Sequence, residues 1–117
     1  MVSIESGSHG DSRIIISDAV IETIVFNSAR DTEGVAAVCP FEDARKRLPG
    51  ASGAPVHVVE REDGLQVSLG VVLADAHPIP ETAARIQRNV KEALQSMTGS
   101  VVDRVDVTVT DVSFDLT

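Results

Sequence analysis

The sequence predicts an α+β fold, a two-layer sandwich in which two helices lie on one face of a mostly antiparallel sheet, in the order β-α-β-β-β-α-β. Three observations carry this. Ala83, Ile86, Val90, Leu94 and Met97 recur at three- and four-residue intervals, the apolar stripe of a helix that opens near Pro80 and stops at Gly99. Val105, Val107 and Val109 then alternate with Asp106, Thr108 and Thr110, which is the period of a half-exposed strand. Earlier in the chain Leu65, Val67, Leu69, Val71 and Leu73 alternate with Gln66, Ser68, Gly70, Val72 and Ala74, so one strand face is uniformly apolar.

The remaining elements follow in chain order. Residues 1–12 are rich in Ser, Gly and Asp and are expected to be a flexible leader, with residues 13–117 forming a single domain. Arg13-Ile14-Ile15-Ile16 reads as a short strand, and Ser17 with Asp18 reads as the cap and first turn of a helix. On that helix, over residues 18–32, Val20, Ile21, Ile24, Val25 and Ala29 share one face, and Gly34 marks its end. Gly34 to Val38 read as a short strand closed by Cys39-Pro40; a charged patch and a Pro/Gly-rich loop run on to Pro55. Val56-His57-Val58-Val59 and the Leu65 strand flank Glu62-Asp63-Gly64, a hairpin turn. After Asp111 the apolar phase moves to Val112, Phe114 and Leu116, the sign of a bulge, an edge or a crossing into new packing.

Composition narrows the function classes. At 117 residues the chain has the size of one domain, typically ~100–150 residues. It lacks Trp and Tyr and has three Phe, which removes the usual stacking platform for single-stranded nucleic acid. A net charge of −8 repels phosphate backbones and anionic headgroups, so direct nucleic-acid binding is disfavoured. The single Cys39 excludes an intramolecular disulfide. No apolar run reaches the roughly 20 residues that span a bilayer, and the N-terminus lacks signal-peptide character; direct membrane insertion is not expected, and the expected location is cytoplasmic.

No pattern carries a reaction. Cys39 with His57 or His77 lacks the local signature of a nucleophile and its base, and no Cys-x-x-Cys or His-x-x-x-His spacing offers a metal centre. Asp75 and His77 in the turn before the second helix read as exposed turn residues in preference to ligands. Gly50-Ala51-Ser52-Gly53 after Arg45-Lys46-Arg47 has the letters of a KH nucleic-acid loop, the alternative function considered, but it leads into a strand where that module needs a helix. Neither catalytic residues nor a cofactor are expected. Candidate partner-binding residues are Asp75 and His77 in the turn and Arg85, Arg88 and Lys91, a basic stripe on the second helix. That stripe suits an acidic partner or the acidic segment 103–115 of another copy, which would give a homo-oligomer.

The assembled order resembles the bacterial alkaline shock protein family. The resemblance rests on Ile14-Ile15-Ile16-Ser17 followed by Val20 and Ile24, on Glu33-Gly34-Val35 with Val38, and on the hairpin over residues 56–73. It continues through Ile79-Pro80-Glu81, Ile86-Gln87, Asn89-Val90 and Met97-Thr98-Gly99 into Val105-Asp106-Val107, covering nearly all of residues 13–112. It implies a non-enzymatic interaction or scaffold protein of the cell-envelope stress response, cytoplasmic or peripheral at the membrane through a small anchor protein. Three places depart from the family pattern: the turn Asp75-Ala76-His77-Pro78 in place of an aromatic-glycine turn, Ser100 in place of an apolar residue, and residues 39–55.

Overall fold

The computed structural model describes residues 2–5, 13–41, 54–75 and 77–114. Strand β1 (Val2–Glu5) pairs antiparallel with β2 (Arg13–Ile16), and helix α1 (Asp18–Arg30) follows. Next come β3 (Val35–Cys39), β4 (Val56–Arg61), β5 (Gly64–Ala74), helix α2 (Ile79–Thr98) and β6 (Val102–Ser113). Two features were not read from the sequence. Within the segment expected to be a leader, Val2–Glu5 is a strand, in which Val2 and Ile4 alternate with Ser3 and Glu5 and the four residues meet β2 in register. Strand β2 consequently belongs to a separate two-stranded sheet instead of opening the main one.

The main sheet is organised on β5. Strand β3 lies antiparallel against residues 70–73 of β5, and β4 lies antiparallel against residues 64–69. Since β6 occupies the other side from Leu65 to Ala74, β3 and β4 share one side end to end, and the sheet is three strands wide among the described residues. The β6 ladder is parallel. Helix geometry explains why: α2 has 20 residues, about 30 Å at 1.5 Å per residue, enough to carry the chain back to the start of β5.

Both helices cover the odd-numbered face of β5. Ile21, Val25 and Ala29 of α1 and Ile86, Val90 and Leu94 of α2 are fully buried with Val67, Leu69, Val71 and Leu73. The buried row of α2 is Thr82, Ile86, Val90, Leu94 and Thr98, a strict four-residue step that rotates the buried side by about 40° each time. The helix therefore crosses the sheet obliquely. Met97, expected in the core, is 69% exposed, and Val20 of α1 is 48% exposed. At the far end Gly99 takes φ 70° as the C-cap, and Thr98 Oγ1 lies 2.6 Å from Ser100 Oγ, which accounts for a buried serine at that position.

The even-numbered face of β5 carries no helix among the described residues. Phe41 lies on it over Gly70, where an added Cβ would meet Phe41 Cβ at 2.9 Å and would overlap the Cys39 carbonyl oxygen. The His57 ring meets Phe41 edge to face at 5.3 Å between centroids. The phase change near Asp111 is a register shift of β6 between the partners of Val71 and Val72, which leaves Thr110 as the extra residue.

Candidate functional site

Two connections and the end of β6 meet at one end of the sheet, and the partner-binding candidates divide around them. The turn after α1 places Gly34 at φ 95°, and its carbonyl oxygen accepts the Ala74 N–H at 2.8 Å. A Cβ on Gly34 would stand 3.0 Å from Thr82 Cγ2 and 3.2 Å from His77 Cγ, so the turn between β5 and α2 presses directly on residue 34. Asp75 donates its N–H to Ser113 O at 3.2 Å, tying the same turn to the end of β6. Arg85 Nη1 donates to Glu33 O at 3.3 Å. Asp75, His77 and Arg85 are thus brought together at this end, while Arg88 and Lys91 are not.

Their environments differ accordingly. His77 and Arg85 are half-buried and engaged in joining the turns; the side chain of Asp75 is exposed. Arg88 and Lys91 stand on the solvent face of α2 without a hydrogen bond or ion pair among the described residues. That face is mixed in charge, because Glu81 and Glu92 are exposed on the same side. The stripe read from sequence as basic is therefore a charged surface of both signs with Arg85 withdrawn from it.

The residues weighed for chemistry occupy packing positions. Cys39 Sγ lies 3.1 Å from Thr110 Oγ1, and Thr110 Oγ1 also donates to Val71 O at 3.2 Å. His57 packs on Phe41. Among the described residues no group of three or more His, Cys, Asp or Glu side chains is placed to hold a metal ion. A groove of about 310 Å3 between α1 and the start of β4 is lined by Ala19, Thr23, Phe26 and Pro55 among others, and none of the five candidates reaches it. Residues 50–53, the loop with KH-like letters, lie outside the described residues.

Residues 6–114 match the alkaline shock protein 23 family, described by a cell envelope-related function. The chain belongs to this family. The match runs through every element from β2 to β6 and agrees with the resemblance read from sequence. No curated protein matches the chain. Among solved structures, a single-residue variant of MamM CTD aligns with a TM-score of 0.50 at 10% identity, covering 81% of this chain and 98% of that one. A second MamM CTD variant aligns with a TM-score of 0.48 at 11% identity, covering 80% of this chain and 95% of that one. At such identities the likeness concerns the fold alone. Among the described residues of this alkaline shock protein 23 family member, no helix is long and apolar enough to cross a membrane.

Sequence reasoning passed over one surface. Strand β6 pairs with β5 and with no other strand among the described residues, so one side of a 12-residue strand is open. Alternation of Val with Asp and Thr identifies a half-exposed strand, but an edge and a central position give the same alternation.

Proposed function

We propose that this protein is a non-enzymatic interaction or scaffold protein of the bacterial cell-envelope stress response, cytoplasmic and held near the membrane by a small anchor partner. The observation that carries the reading is how the side chains are used. Cys39, His57 and His77, the groups that a thiol or acid–base mechanism would recruit, are each engaged in packing, with Thr110, Phe41 and Gly34 respectively. Arg88 and Lys91 are instead held on a regular helix with their charges in solvent, where an acidic partner meets them without local rearrangement. Family membership supplies the envelope context.

Co-purification from native membranes tests this. The wild-type chain is expected to recover a membrane-anchored protein, and the double change Arg88→Glu with Lys91→Glu is expected to reduce that recovery. Recovery of no envelope-associated protein would overturn the reading; equal recovery by both chains would remove the α2 surface from it.

A further inference from the structure

The open side of β6 has a defined hydrogen-bonding parity. Leu65 N–H donates to Val101 O at 2.9 Å and Gly70 N–H donates to Pro55 O at 3.1 Å, so odd residues of β5 address β6 and even ones address the opposite side. In a parallel ladder a residue bonds to the two neighbours of its partner. With Val67 beside Val105 and Leu69 beside Val107, it is Arg104, Asp106 and Thr108 that turn their N–H and C=O groups toward β5. Val105, Val107 and Val109 turn theirs outward. Gln87 Nε2 reaches Val105 O from α2 at 3.0 Å, in keeping with this parity. The regular stretch is bracketed by register shifts at Asp103 and Thr110, and Val107 is its central outward residue.

We propose that this edge takes a second copy of the chain, with β6 paired antiparallel to β6 about a two-fold axis through Val107. That register pairs Val107 with its own symmetry mate and Val105 with Val109 of the second copy, so all three outward residues exchange both backbone bonds once the Val109 N–H of the second copy takes the place of Gln87 Nε2 at Val105 O. Their half-buried side chains form one valine row that extends the helix-covered face across both sheets. On the other face Asp106 meets Thr108 of the second copy and Arg104 meets Thr110. Within the regular stretch no like charges oppose each other, and Arg104 Nε already lies 3.1 Å from Asp106 Oδ2 within its own strand; Asp103 and Asp111, which the same register would set opposite each other, lie beyond the two register shifts. An axis through Asp106 would set two carboxylates face to face, and one through Val105 or Val109 would leave an outward residue unpaired. An unrelated strand would gain the backbone bonds without this self-complementary row.

The inference deepens the interaction reading by naming a partner class and a surface. Sedimentation of the full chain over a micromolar range is expected to show a dimer. Val107→Pro removes an outward N–H that β5 does not use, so the fold is retained by circular dichroism while the dimer dissociation constant rises at least about tenfold. A second measurement guards against misfolding of that variant. In a Cys39→Ser background, chains carrying Asp106→Cys and chains carrying Thr108→Cys, mixed and oxidised with glutathione disulfide, are expected to cross-link to each other far more than either does alone. A monomer at every concentration, or a dimer indifferent to Val107→Pro with no preference for the mixed cross-link, would overturn the proposal. Membrane-partner recovery is read separately, so a failed edge leaves the functional reading standing, and the reverse also holds.

Discussion

Asn89 of α2 donates its side-chain amide to Thr32 Oγ1 at 3.1 Å, and that hydroxyl, on a residue only 4% exposed, donates in turn to Ser28 O at 2.8 Å. The pair joins the two helices above the sheet, one turn along α2 from the Arg85 bond to Glu33. A double-mutant cycle of Asn89→Ala and Thr32→Val is expected to give a coupling energy of about 1 kcal/mol by urea unfolding. Strict additivity would show that the bond contributes nothing to stability.

Gly70 has no room for a side chain. A Cβ there would meet Phe41 Cβ at 2.9 Å and overlap the Cys39 carbonyl, which is backbone and does not rotate away. Gly70→Ala is expected to lower stability by roughly 1–3 kcal/mol and to change the near-ultraviolet signal of Phe41. Wild-type stability in this variant would mean that the even face of β5 is not covered as described.

Leu94 and Met97 separate core from surface on one helix. Leu94 is fully buried, and Leu94→Ala is expected to cost about 2–5 kcal/mol, which threatens the folded state of a marginally stable domain. Met97→Ala, at 69% exposure, is expected to stay within about 0.5 kcal/mol of wild type in the same thermal melts.

Arg85 should behave unlike its neighbours Arg88 and Lys91. Arg85→Ala removes the donor to Glu33 O and is expected to cost about 1 kcal/mol, a drop of several degrees in Tm for a domain near this size. Arg88→Ala and Lys91→Ala are expected to leave stability unchanged within about 0.5 kcal/mol, because each stands in solvent. Equal losses from all three would place Arg88 and Lys91 in the fold instead of on a contact surface.

The candidate surface was partly legible for a definable reason. Helical spacing places Arg85, Arg88 and Lys91 on neighbouring positions of α2, but it does not tell which of them meets the turn after α1. The turn residues Asp75 and His77 were legible as a break between strand and helix, whereas their junction with Gly34 and Ser113 joins segments tens of residues apart in sequence.

Local patterning by itself determined the α+β class, both helices, the hairpin and the alternating faces of β5 and β6, because each depends on residues within a few turns or pleats of one another. It also determined the family, through ordered short motifs along residues 13–112. Only the tertiary structure decided that β6 runs parallel to β5, that β3 and β4 share one side of it, and that Met97 faces solvent while Thr82 and Thr98 are buried. Those outcomes depend on the oblique crossing of α2 and on strand order, which are set by how separated faces bury against each other. Strand order is also what leaves Val105, Val107 and Val109 on an open edge.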